Sequence, residues 1–153
     1  MTLSGDVRIR PMAAADLGRV TEIAAELKGA PKWPFEAYQA AASGERRFAC
    51  VAEVEGRIAG FAIAGLAVPE AELETIAVAR EFQRRGVGRR LLDVVAGRAR
   101  SLGAEEMHLE VRVSNQPARE FYGVTGFVEK GRRIRYYTEP VEDAVLMELR
   151  LES

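Results

Sequence analysis

The sequence predicts a mixed α/β fold in one domain that spans residues 1–153. Two hydrophobic patterns alternate along the chain. In some stretches every second residue is apolar, as in half-buried strands, and in others apolar residues recur every three or four positions, as in amphipathic helices. No internal repeat, low-complexity tract or linker interrupts this alternation. A sheet covered by helices accounts for the whole pattern.

The composition is that of a globular protein, with 48% hydrophobic and 29% charged residues. The net charge of −1 offers no overall field that favours nucleic acid or an anionic membrane. No apolar run is long enough to span a membrane, and no charged-then-apolar leader suggests a signal peptide. We therefore expect a cytoplasmic protein without nucleic-acid or membrane partners, acting as a monomer or weak homodimer.

Cys50 is the only cysteine. A single cysteine excludes an intrachain disulfide and a cysteine-based metal site, and it fits a reducing compartment. The residues around Cys50 are apolar, which favours a buried, inert thiol over a nucleophile.

The N-terminal half predicts a strand, two helices and a hairpin. The first strand reads as an edge strand stopped by Pro11. Gly29, Pro31 and Pro34 break the first helix, and the segment 55–57 joins the two hairpin strands. The predicted elements are a strand at 7–9, helices at about 13–27 and 35–42, and strands at 48–54 and 58–66.

The C-terminal half predicts four strands and two helices. Gly103 occupies the position that terminates the longer helix, and Pro117 suits the first turn of the other. Tyr136, Tyr137 and Pro140 are assigned to a longer loop between the last two strands. The predicted elements are strands at 72–79, 107–113, 127–134 and 144–151, a helix at 87–102 and a helix from about 115 to 126.

A glycine-bearing loop, residues 83–88, links an apolar strand to a helix. Free N–H groups and the positive end of the helix dipole make such a loop a phosphate site. Arg84, Arg85, Arg89 and Arg90 add positive charge. No Lys-Ser/Thr pair follows Gly88, so a Walker-type loop is excluded. The absent third glycine argues against a dinucleotide fingerprint, and a purely structural turn remains the alternative.

The order Gln83-x-x-Gly86-x-Gly88 after an apolar strand resembles the acyl-CoA motif of the Gcn5-related N-acetyltransferase (GNAT) superfamily. A second segment is similar to that family's other signature, and the predicted order of strands and helices is also similar. The resemblance implies a mostly antiparallel central sheet with helices on both faces and a splayed strand pair that holds acetyl-CoA. The second signature comprises Asn115, Ala118, Tyr122, Gly126 and Phe127.

The resemblance implies that acetyl-CoA is the co-substrate and that no metal is needed. Its pantetheine arm is expected along one strand, where N–H groups near Ala77 and Val78 would polarise the thioester oxygen. Asn115 and Tyr122 are expected to contact the coenzyme as well. The strand and loop residues implied in coenzyme binding are Ile76, Ala77, Val78, Gln83, Arg84, Arg85, Gly86, Val87, Gly88 and Arg89.

The resemblance also assigns the catalytic pair. The segment from Glu110 to Asn115 is similar to one in the bacterial ribosomal-protein alanine N-acetyltransferases, in which the glutamate accepts the amine proton. Tyr122 is implied as the acid that protonates the departing thiolate. The structural alternatives are a solvated strand carboxylate for Glu110 and a packing aromatic for Tyr122. Glu72 and Glu74 are alternative bases, and His108 is a supporting residue at most.

Tyr136 and Tyr137 are similar to aromatic residues that flank the acceptor peptide in those enzymes. The implied acceptor is the N-terminal α-amine of a protein, a small-subunit ribosomal protein that begins with alanine. The segment Lys32-Trp33-Pro34-Phe35 departs from the relatives' pattern, which bears on acceptor choice. A small-molecule or lysine-side-chain acetyltransferase and a non-catalytic acyl-CoA-binding module are the alternatives.

Overall fold

The computed structural model describes residues 7–27, 33–44 and 46–151. In this part of the chain, short 3-10 turns at Ala14–Asp16 and Arg80–Phe82 precede the first and third α-helices. The elements are β1 (Val7–Pro11), α1 (Leu17–Glu26), α2 (Phe35–Ser43), β2 (Arg47–Val54), β3 (Arg57–Ala67), β4 (Glu70–Val78), α3 (Val87–Ser101), β5 (Glu106–Arg112), α4 (Gln116–Val124), β6 (Val128–Thr138) and β7 (Val141–Arg150).

The strands form one sheet of seven in the order β1-β2-β3-β4-β5-β7-β6 within the described residues. Every neighbouring pair is antiparallel except β4 and β5. These two are parallel and pair at only three positions, the last of which joins Glu72 to His108. Beyond it, β4 stays with β3 as far as Val78 and β5 stays with β7 as far as Arg112. The two strands therefore diverge and leave a gap in the middle of the sheet.

Helices cover both faces of the sheet. Tyr38 of α2 packs edge-on against Phe61 of β3, with ring centroids 5.9 Å apart. The neighbouring Gly60 points to the opposite face, where a Cβ atom would lie 3.3 Å from Leu91 of α3. The same Cβ atom would lie 2.6 Å from the Ala77 carbonyl oxygen, so only glycine fits here. The core consequently lies on both sides of β3.

The start of α1 is tied to the sheet by a buried carboxylate. Asp16 accepts two hydrogen bonds of 2.8 Å from the Arg10 guanidinium and one of 2.7 Å from the Ala13 N–H. Arg10 also pairs with Glu53 of β2 at 3.0 Å. Residues Ala14–Asp16 form a 3-10 turn, so the α-helix begins at Leu17, four residues after the predicted start. The predicted breakers Gly29 and Pro31, like Lys32, lie outside the described residues.

The predicted fold class is confirmed, and the structure corrects the last hairpin. Tyr136 and Tyr137 belong to β6, and a short turn follows them in place of the predicted long loop. β6 is an edge strand whose side chains are almost all exposed. Its sequence therefore lacks the apolar alternation that marks a half-buried strand. An irregularity between Arg133 and Tyr137, with Arg135 at φ 53°, also hides the strand pattern. No helix in the described part of the chain is long and apolar enough to cross a membrane.

Candidate active site

A cavity of about 650 Å³ lies where β4 and β5 part. Residues 72–78 of β4 and 109–112 of β5 form its walls, and side chains of α4 and β6 complete it. The predicted coenzyme residues 84–89 do not line it and lie in the loop and first turn of α3. The predicted site residues that border the cavity are Ile76, Ala77, Val78, Gln83, Glu110, Asn115, Tyr122, Tyr136 and Tyr137.

Main-chain groups of β4 face the gap. The N–H of Ala79 donates to Ala59 of β3 at 2.8 Å, and backbone groups alternate in direction along a strand. The N–H of Ala77 is therefore directed to β3, and those of Ile76 and Val78 are directed to the side on which β5 has moved away. Of the two groups predicted to polarise a thioester oxygen, only that of Val78 faces the gap.

The loop before α3 presents unpaired backbone donors. Gly86 has φ 80° and is the N-cap residue, and the first helical hydrogen bond joins the Arg90 N–H to its carbonyl at 3.1 Å. The N–H groups of residues 87–89, which come before Arg90, therefore have no acceptor within the helix. The Gln83 side chain ties the loop to β4 by donating to the Val78 carbonyl at 2.9 Å. Such an arrangement suits a phosphate group.

The four arginines near this loop are not equivalent. Arg90 donates to the Val7 carbonyl at 3.3 Å, and Arg89 lies 3.5 Å from Asp93 one turn along α3. Arg84 and Arg85 are exposed, and the Arg85 guanidinium lies 5.7 Å from the centre of the Phe82 ring. Arg84 and Arg85 are therefore the side chains best placed to meet an anion.

Helix α4 positions two of the predicted residues. Asn115 caps it by accepting a 3.3 Å hydrogen bond from the Ala118 N–H, which leaves the side-chain amide group free to donate. The Tyr122 ring packs between Phe121 and Phe127, with centroids 5.4 and 5.5 Å away. Burial raises the pKa of Tyr122 far above its ordinary value. Tyr122 thus has the packing role considered as its alternative and also borders the cavity.

Glu110 is not a freely solvated carboxylate. Its side chain is 19% exposed, and Arg133 of β6 lies 2.8 Å from it in an ion pair. A hydrogen bond with Glu110 is the main cause that raises the pKa of Tyr136. The base candidate is therefore paired with a guanidinium and lies near the Tyr136 phenol. Arg133 could not be found from the sequence, because the register of an exposed edge strand leaves no periodic signal.

Arg112 fastens the β6–β7 hairpin to the end of β5. Its guanidinium donates to Glu142 at 3.1 Å and to the Pro140 carbonyl at 3.0 Å, and it lies 4.3 Å from the centre of the Tyr137 ring. Burial first, and Glu110 next, raise the pKa of Tyr137 to about 12. Arg112 belongs to the segment that resembles the alanine acetyltransferases, which is the signal that could have identified it.

The other acidic candidates differ in their surroundings. Glu74 pairs with Arg47 at 3.0 Å. Desolvation, followed by the charges of Glu74 and Glu110, raises the pKa of Glu72.

His108 turns to a carboxylate outside the cavity. Its Nε2 atom lies 3.2 Å from a carboxylate oxygen of Glu106. Glu70 lies close to both residues, so that one side-chain N or O atom from each of the three lies within 4.8 Å of the others. His108 and Glu106 are half-buried, and Glu70 is exposed. His108 does not line the cavity. Cys50 is buried, and burial raises its pKa to about 11, in keeping with an inert thiol.

This chain is similar to known acetyltransferases in sequence and in structure. The model of the acetyltransferase (GNAT) family matches residues 18–127. The [ribosomal protein bS18]-alanine N-acetyltransferase of Salmonella typhimurium is 40% identical over 108 residues, which cover 69% of this chain and 73% of that protein. The crystal structure of the ribosomal-protein-S18-alanine N-acetyltransferase from Escherichia coli superposes with a TM-score of 0.85 at 32% identity, over 96% of this chain and 95% of that one.

A more distant structure, Arabidopsis thaliana NAA60 in complex with acetyl-CoA, shares the fold with a TM-score of 0.85 at 18% identity, over 94% of this chain and 98% of that one. The family match spans more than half of the sequence and includes the glycine loop, the splayed strands and α4. This chain belongs to the acetyltransferase (GNAT) family and is an N-acetyltransferase.

Proposed function

We propose that the protein transfers the acetyl group of acetyl-CoA to the N-terminal α-amine of a protein, preferentially a small-subunit ribosomal protein that begins with alanine. One observation carries the proposal: a single cavity between β4 and β5 is bordered by groups suited to a thioester and by groups suited to an amine. The names of the Salmonella and Escherichia relatives, which are alanine N-acetyltransferases of this ribosomal protein, support this acceptor.

In this proposal the donor occupies the gap in the sheet. The pantetheine arm takes the place of the strand missing beside Ile76 and Val78 and accepts their N–H groups. The phosphates lie at the loop before α3, where residues 84–89 supply backbone donors and the guanidinium groups of Arg84 and Arg85. Asn115 donates its side-chain amide hydrogen to the coenzyme from the other wall of the cavity.

The acetyl group moves in one direct displacement. The amine nitrogen attacks the thioester carbonyl carbon, and the Val78 N–H stabilises the negative charge that develops on the oxygen. The C–S bond then breaks. Glu110 takes the amine proton, through a water molecule. The Tyr122 hydroxyl donates a hydrogen bond to the departing sulfur, which leaves as the thiolate and takes its proton from solvent. Holding both reactants in line supplies much of the rate.

The acceptor approaches from the side of the cavity that β6 borders. Tyr136 and Tyr137 frame this opening. Trp33, whose ring centre lies 5.0 Å from that of Tyr38 with the planes tilted by 41°, borders the cavity as well. Aromatic walls suit a flexible peptide terminus because they offer large rigid contact areas. We further propose that the chain acts as one catalytic domain, as a monomer or weak homodimer, without a metal ion or nucleic acid.

Release of coenzyme A thiol from acetyl-CoA tests this proposal. The acceptors are a peptide that begins with alanine, the same peptide blocked at its N-terminus but containing lysine, and a small polyamine. We expect rapid release only with the free alanine terminus. Release with the lysine peptide or the polyamine alone would reject the protein N-terminus as acceptor, and coenzyme binding without release from any acceptor would favour a non-catalytic module.

Substitution of Glu110 by Gln tests the base. We expect kcat to fall about 10²–10⁴-fold, while calorimetry shows unchanged coenzyme binding. Glu106→Gln is the matched control, because Glu106 lies on the same strand and face but does not line the cavity. Undiminished turnover in Glu110→Gln would exclude Glu110 as the proton acceptor.

A further inference from the structure

Glu72 lies at the point where β4 and β5 part. It forms the last of the three pairs between these strands, opposite His108. Its side chain borders the cavity between the strands and also a groove of about 690 Å³ on the sheet. Glu110, the candidate base, borders the same two spaces.

The charges around Glu72 do not balance. Arg47 pairs with Glu74 at 3.0 Å, and Arg133 pairs with Glu110 at 2.8 Å. Glu72 itself makes no ion pair or hydrogen bond among the residues that the structure describes. Three carboxylates therefore face two guanidinium groups, which leaves one negative charge for a cation to neutralise.

The electrostatic surroundings of Glu72 point the same way. Desolvation is the largest cause that raises its pKa, and the charges of Glu74 and Glu110 add to it. Burial and neighbouring negative charges destabilise the ionised form of this carboxylate. A bound cation therefore stabilises that form strongly. The titratable and charged groups that face it are Glu74 of β4, Arg47 of β2, Glu110 and His108 of β5, and Arg133 and Tyr136 of β6.

A second observation on the same strand indicates a ligand. Thr75 is only 5% exposed and borders the cavity. Its hydroxyl oxygen is buried and has no hydrogen-bond partner among the described residues. A buried polar atom without a partner is unfavourable. The free enzyme therefore keeps a hydrogen-bonding group that a bound acceptor can satisfy.

We propose that Glu72 binds the protonated amine of the acceptor and holds it beside Glu110, and that the Thr75 hydroxyl forms a hydrogen bond with the acceptor's first residue. The inference rests on the proposed function and assigns the binding of the acceptor's amine to Glu72. The bound ammonium loses one proton to solvent before the attack and a second to Glu110 during it, so that acetylation leaves a neutral amide. The product then loses its attraction to Glu72 and leaves.

Binding of two peptides that differ only at the N-terminus tests this role. One begins with a free alanine amine and the other with N-acetylalanine, and each is titrated by calorimetry into enzyme saturated with coenzyme A, which permits no turnover. We expect the wild type to prefer the free amine about tenfold or more, as for one charge-assisted contact. Glu72→Gln should abolish the preference and Glu72→Asp should restore part of it.

Glu70→Gln is the matched control, because Glu70 lies on the same strand and outside the cavity; the preference should persist in it. The preference should also weaken as the pH rises through the amine's pKa of about 7.7–8 and as it falls through that of Glu72. A preference retained in Glu72→Gln, or lost equally in Glu70→Gln, would overturn the inference. Because this assay needs no turnover, a failure of the proposed reaction would appear separately, in thiol release by the wild type.

Thr75→Val removes the hydroxyl and keeps the shape of the side chain. We expect it to raise the melting temperature of the free enzyme and to weaken binding of the free-amine peptide at least severalfold, whereas Thr75→Ser should bind as the wild type does. If the hydroxyl instead stabilised the folded protein, Thr75→Val would have a lower melting temperature than the wild type. That result, or unchanged peptide binding, would remove Thr75 from the acceptor site.

Discussion

Tyr122 combines packing with a position at the cavity. Its ring lies between Phe121 and Phe127, while the residue borders the space in which we place the thioester. An ordinary tyrosine, with a pKa of about 10, already holds its proton more tightly than a thiol, with a pKa of about 8.5. Burial raises the pKa of Tyr122 further, so its hydroxyl acts as a hydrogen-bond donor to the developing thiolate. For the same reason Tyr122 keeps its proton at alkaline pH, and its ionisation should not limit activity there.

Tyr122→Phe separates the two roles. The ring and its contacts remain, so we expect a melting temperature within a few degrees of the wild type and unchanged acetyl-CoA binding. Losing a donor to the developing charge should lower kcat about 10²–10³-fold. Thiol release measured at saturating substrates checks this, and the single protein thiol adds little background because Cys50 is buried. Full activity in Tyr122→Phe would remove the hydroxyl from the mechanism.

The side chains of the site were predictable to different degrees. Glu110, Asn115 and Tyr122 belong to motifs of fixed spacing, so the sequence places them together once the family is recognised. Arg133 reaches Glu110 from an exposed edge strand with an irregular register, and such a contact leaves no local pattern. The unpartnered hydroxyl of Thr75 likewise depends on packing that no spacing rule describes.

The N-cap residue of helix α3 has a left-handed backbone conformation that favours glycine. Gly86 has φ 80°, and an added Cβ atom would meet nothing within 4 Å. The cost of Gly86→Ala is therefore conformational, and we expect the free energy of unfolding to fall by about 1–2 kcal/mol. The KM for acetyl-CoA should rise as well, because the loop presents its N–H groups through this geometry.

A second glycine of the same helix provides the control. Gly97 also has no atom within 4 Å of an added Cβ, but its φ is not in the left-handed region. We expect Gly97→Ala to stabilise the protein by about 0.5–1 kcal/mol and to leave the KM for acetyl-CoA unchanged. Denaturant unfolding of both variants distinguishes the cases. Equal effects of the two substitutions would show that the left-handed N-cap does not matter.

The link between α1 and the strands β1 and β2 should depend on pH. Hydrogen bonds from Arg10 are the main cause that lowers the pKa of Asp16. The unfolded chain thus binds this proton more readily than the folded protein. The stabilisation is complete above the unfolded value of about 3.9 and is lost as the pH falls through the lower folded value.

Asp16→Asn should therefore destabilise the protein by about 1.5–3 kcal/mol at pH 7, the range for hydrogen bonds to charged groups. The difference from the wild type should shrink as the pH is lowered below 3.9. Urea unfolding at several pH values measures both effects. Asp93→Asn serves as the control, since Asp93 is 64% exposed and its pair with Arg89 is long at 3.5 Å. A difference that does not change with pH would exclude the ion pair as the cause.

The arrangement of the sheet was only partly predictable. Apolar alternation or short apolar runs predict seven strands in their order along the chain, with a shorter span for β6. The divergence of β4 and β5 was expected from the family resemblance alone, because both strands show ordinary alternation on either side of the gap and no local pattern predicts it. Their separation results from β4 following β3 while β5 follows β7.

This divergence leaves backbone donors of β4 that a ligand in the gap can use. Three pairs of residues join β4 to β5, and the N–H groups of Ile76 and Val78 face the gap. A pantetheine arm that accepts those groups would complete the sheet across the gap. Acetyl-CoA at 100 times its Kd should then stabilise the fold by about 2.7 kcal/mol, and the amides of Ile76 and Val78 should exchange hydrogen more slowly.

Adenosine 3′,5′-diphosphate, which lacks the pantetheine arm, separates the two parts of the donor site. We expect it to raise the melting temperature through the loop before α3, and to do so less in Gly86→Ala. It should leave exchange at Ile76 and Val78 unchanged, since nothing then occupies the gap. Hydrogen-exchange measurements with each ligand provide the comparison. If both ligands protected these two amides equally, the arm would not lie along β4, and the oxyanion role of the Val78 N–H would be excluded with it.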